Sequence, residues 1–338
     1  MCEKKNAQAS HRLSVFAAGA AVFRILIVTP APSRSRKGNR ITAERWAKIL
    51  RSIGHSVQIA DRFRGQRCDL MIALHALKSA ASVKKFTDAY ANKPVVLALT
   101  GTDLYHDIGS STQAQESLKR ASRFVLLQPH GQSELPRRMH KKVRVIYQSA
   151  EPPKRRLAPL KRVFEVCVSG HLRPVKDPFR AALASRRLHA ASNIRITHLG
   201  AALSPSIETR ALVEMQRNPR YHWLGNVSQA RARQLLDRSQ LMVLSSKSEG
   251  GANVISEALA SDVPILSTRI SGSIGLLGED YPGYFDLGDT NELAELLERC
   301  ENDPVFYELL RSHNRGAATQ VTPTKETEAW RELLQEFD

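Results

Sequence analysis

Two glutamates eight positions apart, Glu249 and Glu257, stand in the run S-E-G-G-A-N-V-I-S-E-A-L-A from Ser248 to Ala260. An apolar run, Leu241 to Leu244 with Ser245 and Ser246, precedes them, and a second, Val263 to Ser267, follows. Strand, Gly-containing loop, helix and strand in that order make a βαβ unit, whose loop lies at the carboxyl end of the sheet where ligands bind. Gly250, Gly251, Ala252 and Asn253 are the expected seat of a diphosphate: the glycines let backbone approach a ligand, and Asn253 is expected to cap a helix whose free N–H groups suit an anion. With Glu249 in the loop and Glu257 inside the helix, both carboxylates reach one pocket. Backbone for phosphates and carboxylates for hydroxyls fit a sugar nucleotide. The plain alternative is two solvated glutamates around a glycine turn.

A second motif, Ser169-Gly170-His171-Leu172-Arg173-Pro174-Val175-Lys176-Asp177-Pro178, follows another apolar run. Gly170 allows a tight exit from the strand, and Arg173 and Lys176 would neutralise a leaving diphosphate without a metal ion. Leu224-Gly225-Asn226-Val227 is the loop two elements before the glutamate pair.

The other half of the chain carries T-P-A-P-S-R-S-R-K-G-N-R, Thr29 to Arg40. Ser33, Arg36, Lys37, Gly38 and Asn39, with Arg34 and Arg40, combine cations with a helix start, an oxyanion receptor with the bidentate geometry of arginine. Leu74-His75-Ala76 and the stretch Leu99 to Asp107, with Thr102 and Asp103, add an imidazole, hydroxyls and a carboxylate at the same edge; Gln128 to Gln132 completes the rim.

These residues need scaffolds. Runs at Arg24–Thr29, Val57–Ala60, Asp69–Leu74, Pro94–Leu99, Phe124–Leu127 and Val143–Ile146 read as strands alternating with helices, which predicts a parallel sheet covered on both faces. A helix over Ile41 to Ile53 is expected to bury Ile41, Trp46, Ile49, Leu50 and Ile53 and to stop at Gly54. The Pro-rich, charged segment 151–160 reads as a linker between a first domain, 24–150, and a second, 161–320. Residues 321–338 form an amphipathic helix with Ala329, Trp330, Leu333, Leu334 and Phe337 on one face. Residues 1–23 read as an N-terminal extension rather than a cleaved leader.

The 338 residues carry a net charge of +17, unevenly placed. Residues 1–160 hold 29 Lys/Arg against 10 Asp/Glu, and residues 161–338 hold 21 against 23. The basic half is therefore expected to handle something anionic. An aromatic content of 6% and a near-neutral second half argue against nucleic acid. No run approaches a membrane span, so stable membrane association is not expected. The four scattered cysteines make no metal-ligand spacing and read as reduced thiols of a cytoplasmic protein.

The Glu249–Glu257 element resembles the Glu-x7-Glu motif of GT-B glycosyltransferases, the large and mostly retaining family that includes sucrose and glycogen synthases. The resemblance implies two Rossmann-like domains whose parallel sheets face a central cleft, with the last helix crossing back to the first domain. It implies Glu249 beside the sugar, Glu257 on the ribose hydroxyls, and Gly225 and Asn226 next to a uracil. Gly170-His171-Leu172-Arg173 and Lys176 are similar to that family's Gly-Arg-Leu…Lys pattern, with His171 at the usual Arg position; whether His171 or Arg173 takes that role stays open. Glu249, Arg173 and Lys176 are then the catalytic set.

T-P-A-P-S-R-S-R-K-G-N-R, A-L-H-A, A-L-T-G-T-D-L-Y and S-G-H-L-R-P-V-K-D-P-F together resemble the selenosugar synthase (SenB) family of bacterial selenoneine biosynthesis, over about Arg24 to Trp330. That resemblance implies transfer of selenium from selenophosphate to C1 of a UDP-sugar, commonly UDP-N-acetylglucosamine, with release of UDP and phosphate and no cofactor. It also implies a functional link to selenophosphate synthetase and the downstream selenoneine synthase. Selenophosphate is anionic and its selenium is a soft nucleophile, so it needs positioning and charge neutralisation more than a general base. The alternative is a conventional UDP-sugar glycosyltransferase acting on an anionic lipid or polysaccharide.

Overall fold

The computed structural model describes residues 21–32, 38–101, 103–155 and 157–338. Two six-stranded parallel sheets organise the chain. The first domain runs β1 (Arg24–Val28), α1 (Gly38–Ser52), β2 (Ser56–Ala60), β3 (Leu70–Leu74), α2 (Ala80–Ala89), β4 (Val95–Leu99), α3 (Ile108–Ser110), α4 (Thr112–Arg120), β5 (Arg123–Leu126) and β6 (Val143–Val145). The second runs β7 (Phe164–Ser169), α5 (Arg180–Ser185), β8 (Ile194–Leu199), α6 (Pro205–Arg217), β9 (Tyr221–Trp223), α7 (Gln229–Arg238), β10 (Leu241–Leu244), α8 (Asn253–Ala260), β11 (Ile265–Thr268), α9 (Ser271–Leu277), β12 (Tyr284–Phe285), α10 (Thr290–Asn302) and α11 (Pro304–Ala318). A last helix, α12 (Pro323–Gln335), follows.

Strand runs that are apolar throughout are what a parallel sheet demands, because helices cover both faces. The period of two is visible in the first domain. Leu26, Val28, Met71 and Ala73 enter one core, while Ile25, Ile27, Leu70 and Ile72 enter the other.

Strand order is β2-β1-β3-β4-β5-β6 in the first sheet and β12-β11-β10-β7-β8-β9 in the second. Each order reverses once, between β1 and β3 and between β10 and β7. The loops leaving the carboxyl ends of those strands frame a crevice in each domain. Thr29, the start of α1 and His75 lie at the first reversal, and the loops after Ser169 and Leu244 at the second.

The buried stripe of α1 is Thr42, Ala43, Trp46, Ala47 and Leu50, not one centred on Ile41, Ile49 and Ile53. Small Ala43 and Ala47 let the helix sit close on the sheet and rotate it. The left-handed Gly54, at φ 101°, ends it.

Helix α12 packs on the first domain. Trp330 meets Trp46 edge-on at 4.8 Å between ring centroids, and Leu333 and Leu334 join the same core. Thr322 caps it by accepting from Lys325 N–H, and Glu336 just beyond it accepts from Arg123 Nε at 2.6 Å and Arg144 Nη2 at 2.8 Å.

Candidate active site between two parallel sheets

The second reversal brings Lys176 and Glu249 together. After β7 the chain forms a short 3-10 turn, Pro174–Lys176, ended by the left-handed Asp177 at φ 42°. The loop after β10 is bonded to it: Lys247 N–H donates to Val175 O at 2.8 Å, and Ser245 Oγ donates to Lys176 O and Asp177 O. Lys176 Nζ and Glu249 Oε1 form an ion pair on this platform, with 21% and 12% of their side chains exposed. The cation expected at the diphosphate thus sits on the carboxylate expected at the sugar. Arg173, just before the turn, is exposed.

His171 Nδ1 accepts from Ala201 N–H at 3.1 Å. Beside it, Gly200 N–H donates to Gly225 O at 2.9 Å, and Trp223 Nε1 donates to Gly200 O at 2.8 Å, so the exits of β7, β8 and β9 are stacked. The tight position is Gly200, not Gly170. A Cβ on Gly200, whose φ is 141°, would lie 2.1 Å from Gly170 O, whereas one on Gly170 meets open space.

Helix α8 begins at Asn253, and its N-cap is Ala252, with no side-chain cap. Asn253 therefore does not cap the helix: one residue inside, its Oδ1 instead accepts from Arg45 Nη2 of the first domain at 3.0 Å. Glu257 lies on α8 with its carboxyl pushed up by burial, an effect opposed by the charges of Arg233 and Arg45. His198, buried below Gly170, is pushed down to about 4 by burial and stays neutral.

Gly250 and Gly251 are close-approach positions, but what they approach is the first domain. A Cβ on Gly250 would lie 2.6 Å from the Thr100 carbonyl carbon, and one on Gly251 2.5 Å from Leu127 Cβ. Further along, Gly275 abuts Gln128, and Tyr105, which accepts from Gln128 Nε2 at 3.0 Å, faces Ser271 Oγ at 3.3 Å.

At the first reversal, Thr29 is fully buried and Thr100 Oγ1 donates to Asn39 Oδ1 at 2.8 Å, tying β1, α1 and the exit of β4. Gly38 is exposed at the start of α1. Asp103 is fully buried and opens a one-turn π-helix, Asp103–Asp107. It accepts from Ala76 N–H and Gly101 N–H, both at 3.0 Å, and burial raises its pKa against the pull of His75. His75 adopts φ 77°, is lowered in pKa by burial, and leaves Nε2 3.7 Å from Asp107 with no hydrogen bond. Glu249 and Asp103 are one interdomain contact apart: Gly250 touches Gly101, which donates to Asp103. Ser33, Arg36, Lys37 and Thr102 lie outside the described residues, as do Arg34 and residues 1–20.

Among the described residues no group of three His, Cys, Asp or Glu is arranged to hold a metal, and no helix is long and apolar enough to cross a membrane. Cys68, Cys167 and Cys300 are buried and free.

Residues 153–319 match the profile of the family described as glycosyl transferases group 1. The match falls on the second domain, the half that holds the Lys176–Glu249 pair. The fold of the chain is that of several solved structures. HepE of Anabaena, solved with UDP and glucose, superposes with a TM-score of 0.74 at 16% identity, covering 93% of this chain and 100% of HepE. A glycosyltransferase of Rickettsia africae gives 0.74 at 14%, covering 93% and 98% of the two chains. Sucrose-phosphate synthase of Thermosynechococcus elongatus gives 0.73 at 13%, again over 93% and 98%. The shared architecture is GT-B.

Sequence reasoning missed Arg45, Gly200, Gly272 and Gly275, and it named Tyr105 only within the stretch Leu99 to Asp107. The small-residue run Ser271-Gly272-Ser273 was the one available signal for the α9 contact; a Cβ on Gly272 would lie 2.1 Å from Glu249 O. Arg45 is one arginine among many on a basic half.

Proposed function

We propose that this glycosyltransferase takes a UDP-sugar on its second domain and selenophosphate on its first. Selenium attacks C1 as the bond from C1 to the UDP oxygen breaks, and later hydrolysis of the P–Se bond releases phosphate and the 1-selenosugar. The observation that carries the donor half is the Lys176–Glu249 pair at the sheet reversal beside the uncapped start of α8. A cation, a carboxylate and open helix N–H groups there suit a nucleoside diphosphate sugar. That HepE was solved with UDP supports a uridine nucleotide. The selenophosphate half rests on the loop motifs and on a first domain whose excess of cations exceeds what a hydroxyl acceptor requires.

Incubation with selenophosphate and a panel of sugar nucleotides, read by mass spectrometry for the selenium isotope pattern, tests the whole reading. A selenium-bearing sugar with stoichiometric UDP is expected. UDP-sugar turnover only with lipid or saccharide acceptors, and no selenium product, would overturn the acceptor. Inorganic phosphate should compete with selenophosphate, and added salt should raise the acceptor KM by screening. Arg36→Glu with Lys37→Glu should raise that KM while UDP affinity holds.

A further inference from the structure

Arg45 belongs to α1 of the first domain, yet its guanidinium reaches the start of α8. Nη2 donates to Asn253 Oδ1 and Nη1 to Ser149 O, each at 3.0 Å. Nε lies 3.4 Å from Glu326 Oε1 and has no hydrogen-bond partner. Glu326 is itself fixed: its side chain is fully buried and accepts from Trp46 Nε1, Ser149 N–H and Ser149 Oγ. A guanidinium has five N–H groups. These contacts use one on each Nη nitrogen and leave one on each, on a side chain still 21% exposed. The adjoining first turn of α8 has no side-chain cap, and the Arg45 charge is felt at Glu257.

We propose that Arg45 is a nucleotide-binding residue supplied across the cleft, contacting the donor diphosphate at the start of α8 and making the first domain part of the donor site. This rests on the reading of the second domain as a UDP-sugar site. A guanidinium pinned by a buried carboxylate is already oriented, so it offers a paired set of N–H donors to phosphate oxygens at little ordering cost. Arg45 meets Asn253 only with the domains together. Nucleotide bound to both therefore favours that arrangement, by the free energy that Arg45 adds to binding.

Calorimetry on the full chain with UDP and with uridine separates the possibilities. Arg45→Ala should weaken UDP binding about tenfold or more, while uridine affinity changes less than about twofold. Arg45→Lys should recover part of the loss, since it restores charge without the fork. The KM for the UDP-sugar should rise and that for the acceptor hold. Because Arg45→Ala leaves Glu326 buried without its cation, Arg45→Met with Glu326→Gln, which removes both charges, must show the same selective loss of UDP affinity. Wild-type protein binding UDP with all Arg45 variants unchanged overturns the role of Arg45 alone. Equal loss for UDP and uridine also overturns it, since Arg45 would then only fasten the domains. Wild-type protein that binds no UDP overturns the donor reading itself.

Discussion

Glu257 is half-buried on α8 and has no hydrogen-bond or ion-pair partner among the described residues, with Arg233 and Arg45 supplying the opposing charge. A carboxyl group left unpaired here is available to hydroxyl groups. Glu257→Ala should weaken UDP binding by about 1–3 kcal/mol, because a ribose hydroxyl pair loses its acceptor; unchanged affinity by calorimetry would remove that assignment. Glu249 differs, since Lys176 already neutralises it. Binding a diphosphate at Lys176 must first draw that cation away. Glu249→Gln should therefore lower kcat by about 10²-fold while UDP binds as tightly as before or tighter. Equal losses in kcat and UDP affinity would show that Glu249 helps seat the nucleotide instead.

At the scale of loops and helices, glycine has three different jobs that one letter conceals. Gly170 was legible as the exit from β7 but has open space around it, Gly200 is strained and walled in by Gly170, and Gly250 faces the backbone of the other domain. Gly170→Ala should leave the melting temperature unchanged. Gly200→Ala should lower stability by about 1–3 kcal/mol from its backbone conformation, with the clash in addition. Gly250→Ala should spare the separate cores but force the domains apart, lowering kcat/KM about tenfold or more with little change in melting temperature. Thermal unfolding beside steady-state kinetics distinguishes all three, and a Gly250→Ala enzyme with full activity would refute the contact. The strands and the glutamate pair could be read from the sequence because period, run length and spacing are local. The Gly250–Thr100 contact, the π-turn at Asp103 and the reach of Arg45 to Asn253 could not, because each depends on residues far apart in the chain. Asn253 shows the limit within a local motif: it is a good capping residue, but the helix starts one position earlier than its type implies.

Across the whole molecule, α12 fastens the end of the second domain onto the first. Arg144 and Arg123 hold the Glu336 carboxyl below its ordinary 4.5. Its contribution is therefore complete above that value and is lost as the pH falls through the lower folded one. Glu336→Gln should cost under about 1 kcal/mol, since these groups are partly exposed. The difference from wild type in thermal unfolding should be present at about pH 7 and gone by about pH 3. A difference that persists in acid would mean that the ion pairs are not its source. The Trp46–Trp330 contact carries a different consequence, one of timing. One core of the first domain contains Trp330, Leu333 and Leu334, so residues translated first wait for residues translated nearly three hundred positions later. While the ribosome is still making the second domain, Trp46, Ala47 and Leu50 have no finished cover, and the first domain is open on that face. The half that begins synthesis is thus the half that matures last, and a nascent chain arrested before α12 should present that face to chaperones even with its second domain already folded.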